Sequence, residues 1–238
     1  MSLLAAMRCR GHILIASDAY AADPLGAYET SKLQRLCDVN VMWGGDGDVR
    51  IIKDLRAWIE TLQAFERLDT RQLTPGAMDR GWWIDNFADR LSMLNGNNLA
   101  RIRQSRAPET PTHVTSEVLL AGYINPQQPV ILTFPRHSAP IHATEHGWSA
   151  AGTAAERFAG ALSALQPKAH SLQTPLPDTA MLMMQAMEAA MRGAAETGPP
   201  VQVWACSPGR IELLLGFEDG AGPLPDRMKE SLALSGKS

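Results

Sequence analysis

The sequence predicts a layered α+β fold, in which two stacked antiparallel sheets are covered by pairs of helices. Two observations favour it. Short runs of apolar and β-branched residues come in blocks bounded by Gly, Pro and Asn. Longer segments with apolar residues at helical spacing come in pairs between those blocks. This alternation is typical of an α+β domain, which we expect to span residues 1–217, before a polar tail at 218–238.

Composition restricts the possible functions. The chain has 238 residues, of which 45% are hydrophobic and 20% charged, and its formal net charge is −3. This balance provides no basic surface for nucleic acid or anionic membranes. No apolar run approaches the ~20 residues that cross a bilayer, and the short apolar start, interrupted by Arg8 and Arg10, lacks the features of a secretory signal. We therefore expect a cytoplasmic protein with neither a nucleic-acid nor a membrane partner.

Cysteine and histidine usage predicts no metal and no other cofactor. The three cysteines, Cys9, Cys37 and Cys206, are odd in number and far apart. Such a set is typical of buried thiols in a reducing compartment, not of a disulfide framework. The six histidines match no zinc-binding spacing.

The first predicted element is a hairpin. Leu3 to Cys9 and His12 to Ala16 are apolar runs separated by an Arg10-Gly11 turn. A strand that begins this early is unusual because chain termini normally fray, so we expect the terminus itself to have a role. Residues 19–30, which include a proline and a glycine, are expected to form a loop.

A second hairpin and a helix pair follow. The hairpin is predicted over 32–37 and 39–43, and the Gly44-Gly45-Asp46-Gly47 turn is expected to end it. Asp46 or Asp48 then caps a helix that runs to about Leu68. The next helix is predicted over 78–106, with a kink or break at the Asn-Gly-Asn-Asn run of residues 95–98.

The second half of the chain repeats this order of strands and then helices. Three strands, two helices and a closing hairpin are predicted, each bounded by proline, glycine or polar residues. The predicted ranges are 117–123, 130–134 and 140–144 for the strands, 152–165 and 179–195 for the helices, and 201–206 and 211–215 for the hairpin.

Ser2 is the first candidate for chemistry. If Met1 is removed, which is the expected fate before so small a side chain, Ser2 carries a hydroxyl and a free α-amine. An α-amine titrates near pH ~8, so it can accept the proton of the hydroxyl at neutral pH. The alternative is that Ser2 is an ordinary solvated terminus.

Several segments together resemble the proteasome β-subunit family of N-terminal nucleophile hydrolases. They are GHILIASD, KLQRLCD, MWGGDGD, EVLLAGYINPQQPVILTF, GWSAAGTAAERFAG and EAAMRGAAETG, and their order and spacing carry the resemblance. It covers most of the chain and implies a four-layer αββα sandwich. The early start is most similar to the bacterial members, namely the ATP-dependent protease core and the Anbu-type proteasome homologues.

The resemblance implies a role for four residues. Ser2 would be the nucleophile, and Lys32 would stabilise its deprotonated hydroxyl and help to move the proton. Asp18 would pair with that lysine and fix it, and the backbone N–H of Gly45 would donate to the oxyanion. The alternative for Asp18 and Lys32 is an ordinary surface ion pair, which contributes ~0–1 kcal/mol.

Three further positions have implied roles. Gly152 and Thr153 stand where the family has a glycine and a serine that support the terminal amine. Trp43, two residues before Gly45, stands where the family lines its specificity pocket. A side chain of that size would close the pocket or restrict it to small groups.

The chain also departs from the family pattern. The typical nucleophile is threonine, whereas this chain has Ser2. The late helix of the family ends in Arg-Asp followed by Ser-Gly, but here Gly193 stands at the place of the acid. Glu196 or Thr197 could take over its support of the amine.

The predicted function is hydrolysis of peptide or other amide bonds by acyl transfer through Ser2, inside a homo-oligomeric ring. The implied partners are further copies of the chain, a peptide or small amide substrate, and an ATP-dependent unfoldase. Two alternatives remain. One is a catalytically inactive scaffold subunit with the same fold, and the other is an amidase that acts on a small molecule, because fold alone does not determine function.

Overall fold

The computed structural model describes residues 2–23, 26–29, 31–36, 39–68, 80–104, 114–137, 139–165, 172–192, 194, 197–198 and 201–216. The predicted C-terminal tail, Cys37, Gly193 and Glu196 lie outside these residues. Among the described residues the strands are β1 Leu3–Cys9, β2 His12–Asp18, β3 Tyr20–Asp23, β4 Gly26–Glu29, β5 Leu33–Leu36, β6 Asn40–Asp46, β7 Glu117–Asn125, β8 Gln128–Phe134, β9 Ile141–His142, β10 Trp148–Gly152, β11 Val201–Ser207 and β12 Arg210–Leu215. The helices are α1 Val49–Leu68, α2 Arg80–Gln104, α3 Ala155–Leu165 and α4 Leu176–Met191.

Two five-stranded antiparallel sheets organise these elements. The first sheet has the order β10-β1-β2-β11-β12 and the second β5-β6-β7-β8-β9, while β3 and β4 pair with each other. The first sheet thus joins strands from both ends of the chain, and the second is built from its middle. The predicted α+β class with two antiparallel sheets is confirmed.

Strand alternation separates three apolar layers. Successive side chains of a strand point to opposite faces, so Leu3 packs toward α3 and α4 whereas Leu4 packs between the two sheets. On the second sheet, Leu119 lies between the sheets and Leu120 packs toward α1 and α2. Each sheet is therefore covered by the other sheet on one face and by a helix pair on the other.

The course of β6 differs from the prediction. The strand does not end before the glycines but continues through Gly44 and Gly45 to Asp46. Glycine relieves crowding there, because a Cβ atom on Gly45 would lie 2.2 Å from Ile52 Cδ1, the end of a flexible side chain that would have to move. Asp48 then caps α1, because its Oδ1 accepts the backbone N–H of Arg50 at 2.9 Å. This confirms one of the two predicted caps.

Helix α2 runs unbroken through residues 95–98, where a kink or break was predicted, so the predicted break is wrong. Asn95 and Asn98 are buried, and their side chains bind the segment that leads into β7. Tertiary hydrogen bonds thus compensate for the low helix propensity of these residues. The structure also contains two strands in the expected loop at 19–30, and β10, which the sequence pattern did not indicate.

No helix among the described residues combines the length and the hydropathy needed to cross a lipid bilayer.

Candidate active site

The candidate site lies where strand ends of both sheets meet. In the first sheet, Leu3 at the start of β1 pairs with Gly152 at the end of β10, and Asp18 at the end of β2 pairs with Val201 at the start of β11. In antiparallel pairing the start of one strand lies beside the end of its neighbour, so all four strand ends lie at the same end of the sheet. In the second sheet, Leu33 at the start of β5 pairs with Gly44, near the end of β6. Side chains that bridge the two edges define the site.

Asp18 makes the most informative contacts of this site. Its Oδ1 accepts the backbone N–H of Leu3 at 2.7 Å, and its Oδ2 accepts a hydrogen bond from Lys32 Nζ at 2.8 Å. The Asp18 side chain is 0% exposed and that of Lys32 is 10% exposed. The structure thus brings together two of the predicted residues as a buried pair, and the alternative of a surface ion pair is wrong.

Burial sets the electrostatics of this pair. It lowers the pKa of Lys32 from its ordinary value, although the carboxylates of Asp18 and Asp46 act in the opposite direction. Burial likewise raises the pKa of Asp18, against the effect of Lys32 and of the backbone N–H groups of Leu3 and Gly198. A lysine with a lowered pKa releases its proton more readily, which suits it to proton transfer.

Ser2 lies directly before β1 and is 6% exposed in the chain that includes Met1. Its carbonyl oxygen is in close contact with the backbone of Gly152, where a Cβ atom would be only 2.1 Å away. Gly152 has a φ of +97°, a conformation that glycine adopts readily and other residues rarely do. Glycine is therefore required at this position by both space and backbone conformation.

The remaining implied residues occupy the same region. Gly45 in β6 lies opposite Val118 in β7. It directly follows Gly44, the partner of Leu33 in β5, and therefore lies at the level of Lys32, which directly precedes Leu33. Thr153 is exposed in the turn after β10. The roles of Gly45 as oxyanion donor and of Thr153 as support for the amine stay predictions.

Trp43 is built into the core between the second sheet and its helices. It is 1% exposed and contacts Phe87 edge-on, with ring centroids 6.3 Å apart. It also contributes to the wall of a cavity of about 370 Å³ that is lined by Ser31 and Leu33, the neighbours of Lys32 in sequence. Its role in specificity remains a prediction.

Three charged residues that the sequence pattern did not assign to the site, Asp46, Glu117 and Arg136, lie beside it. Arg136 Nη2 is 2.5 Å from Asp46 Oδ2 and 3.4 Å from Glu117 Oε1. Glu117 Oε1 in turn accepts the backbone N–H of Gly152 at 2.9 Å. The available signal was their position, because Asp46 ends β6, Glu117 begins β7 and Arg136 follows β8.

The late part of the chain reaches Asp18 as well. The backbone N–H of Gly198 lies close enough to this carboxylate to lower its pKa. Thr197 is buried, and its hydroxyl has no hydrogen-bond partner among the described residues. The Thr197-Gly198 segment thus lies at the site.

Lys32, with its lowered pKa, and the carboxylate of Asp18 lie beside the segment that carries Ser2, and these residue types are among those that acyl transfer uses. In the described part of the chain, no three His, Cys, Asp or Glu side chains are grouped in a way that could hold a metal ion. No protein-family model and no curated protein matches this chain.

Proposed function

We propose that this chain is a proteasome-like N-terminal nucleophile hydrolase that cleaves peptide or other amide bonds through Ser2 after removal of Met1. One observation carries the proposal. Asp18 binds both Lys32 and the backbone N–H of the residue that follows Ser2, at 2.8 Å and 2.7 Å. A single buried carboxylate thus fixes the start of β1 relative to the lysine that the chemistry needs.

The proposed reaction has two steps. Ser2 Oγ attacks the amide carbon while its proton passes to the free α-amine, and Lys32 stabilises the developing alkoxide. The C–N bond then breaks, and the leaving amine takes up that proton. Water hydrolyses the resulting ester, which releases the acid and regenerates Ser2. In the transition states Gly45 N–H donates to the oxyanion, a contact of a kind that contributes roughly 3 kcal/mol.

The experiment is an intact-mass measurement of the purified protein, before and after incubation with a β-lactone that acylates nucleophilic hydroxyls. We expect a mass without Met1 and a single adduct. Ser2→Ala should abolish the adduct. Ser17→Ala is the matched control, because Ser17 is also a buried serine near the end of a strand of the first sheet, and it should leave the adduct in place.

The same measurement tests the scaffold alternative, which the glycine at position 193 favours. A protein that retains Met1 and takes up no lactone lacks the free amine that the mechanism requires. That result would replace the hydrolase proposal with an inactive proteasome-like subunit.

A further inference from the structure

We propose that Glu117 and Arg136 are positioning residues that hold the backbone of Gly152 against Ser2. The inference rests on the proposed function, because it assigns these residues a role in orienting the nucleophile. It is drawn from the contacts among β1, β7, β10 and the segment after β8.

At the end of the β1–β10 pair, each strand is bound by a carboxylate. Leu3 and Gly152 are the last partners in this register, directly beside Ser2. The N–H of Leu3 binds the carboxylate of Asp18, and the N–H of Gly152 binds the carboxylate of Glu117, at 2.7 Å and 2.9 Å. Glu117 therefore does for β10 what Asp18 does for β1.

The hydrogen bond between Glu117 and Gly152 connects the two sheets. Glu117 begins β7 in the second sheet, whereas Gly152 ends β10 in the first sheet. The hydrogen bond therefore fixes one sheet edge relative to the other. Because Gly152 touches the carbonyl of Ser2, a shift of this edge would move the nucleophile.

Arg136 bridges the carboxylates of Glu117 and Asp46. Glu117 lies opposite Asp46 in the pairing of β6 with β7, so two carboxylates face each other in a partly buried place. Burial, and the charge of Asp46, raise the pKa of Glu117, whereas Arg136 opposes this. Arg136 contacts both carboxylates, which opposes the rise in the pKa of Glu117 and orients its carboxyl group.

The test compares three variants in lactone acylation. Glu117→Leu and Arg136→Met should lower the maximal acylation rate by about 10- to 100-fold, because a misplaced nucleophile reacts more slowly. The lactone concentration that gives half of the maximal rate should stay the same. Glu117→Gln keeps an oxygen acceptor and should restore most of the rate. Arg210→Met is the matched control, because Arg210 forms an exposed ion pair with Glu212 at the same 3.4 Å separation on β12. It should leave the rate unchanged.

Hydrogen exchange measured by mass spectrometry tests the same inference without any activity. Glu117→Leu and Arg136→Met should speed exchange in peptides from the start of β1 and the end of β10, but not in β12. If the wild-type protein takes up no lactone, the proposed function fails, and this exchange pattern still tests the positioning role.

Either of two outcomes would overturn the inference. One is an unchanged rate and unchanged exchange in both Glu117→Leu and Arg136→Met. The other is faster exchange throughout the chain, which would assign the pair to general stability. If Glu117→Leu does not fold, Arg136→Met and Glu117→Gln carry the comparison.

Discussion

At the scale of single residues, the buried pair of Asp18 and Lys32 dominates the physical chemistry of the site. Both charges are removed from water, which costs free energy that their mutual attraction and the backbone hydrogen bonds to Asp18 must offset. Apolar side chains at these two positions would avoid this cost. The consequences of burying the pair can be measured whether or not the protein is an enzyme.

We expect Asp18→Asn to destabilise the protein by about 3 kcal/mol, because it leaves the buried Lys32 ammonium without its carboxylate. Burial already lowers the pKa of Lys32, and the variant loses the charge that opposes this effect most strongly. Between that lowered pKa and the ordinary value of 10.5, the unfolded chain then binds more protons than the folded one. The stability of the variant should therefore rise with pH in this window.

Urea unfolding at several pH values measures this effect. The double variant with Lys32→Met serves as the control, because it contains no buried ammonium and should lose the pH dependence. A stability deficit that is independent of pH would contradict the expectation.

The residue types of this site could be predicted from the sequence, but its contacts could not. Asp18 and Lys32 were identified by resemblance, and the structure brings them together. Glu117 and Arg136 were missed because their contact with Gly152 depends on how the two sheets are placed relative to each other. No local pattern in the sequence contains that information.

At the scale of elements, helix α2 shows how a tertiary contact overrides local propensity. Asn95 Oδ1 accepts the N–H of Ser116 at 2.8 Å, and Asn95 Nδ2 donates to its carbonyl at 2.9 Å. The helix thus supplies both hydrogen bonds that a strand partner would supply to Ser116. Because Ser116 directly precedes Glu117, α2 also supports the proposed positioning residue.

We expect Asn95→Ala to reduce the free energy of unfolding by about 2–3 kcal/mol, because it leaves a buried N–H and a buried carbonyl without partners. Asn97→Ala is the matched control. It changes the same residue type in the same helix at an exposed position, and should change stability by less than about 0.5 kcal/mol. Denaturant unfolding measures both, and equal effects of the two substitutions would contradict the structural role of Asn95.

The contacts of Asn95 and Asn98 explain why the predicted break in α2 is wrong. The four residues at 95–98 have low helix propensity, and propensity is all that a local reading can use. Buried asparagines with backbone partners 16 and 21 residues away reverse that expectation. The continuation of β6 through its glycines has a similar cause, since the side chains that crowd these glycines come from other elements.

At the scale of the whole molecule, the three apolar layers place the candidate site at an edge where the sheets meet. This arrangement of layers could be predicted, because it depends on the alternation of strands and helices along the chain. The order of strands in the first sheet could not be predicted from that alternation alone, because it pairs β2 with β11. Their partner residues lie far apart in the sequence.

The proposed function includes a homo-oligomeric ring, and this is a prediction for the whole molecule. We expect sedimentation velocity to show a species several times the 25.9 kDa mass of the chain, and negative-stain electron microscopy to show closed rings. Ser2→Ala should assemble equally well, because assembly does not require the nucleophile. Monomers at all protein concentrations would contradict the ring.

The pairing of β2 with β11 has a consequence for synthesis of the protein on the ribosome. Asp18 in β2 is synthesised long before Val201, its partner in β11. β2 therefore lacks one of its two neighbouring strands until β11 has been synthesised. A growing chain therefore carries Asp18 and Lys32 long before the first sheet is complete. For the proposed hydrolase, this order of synthesis would keep the site incomplete until β11 has emerged.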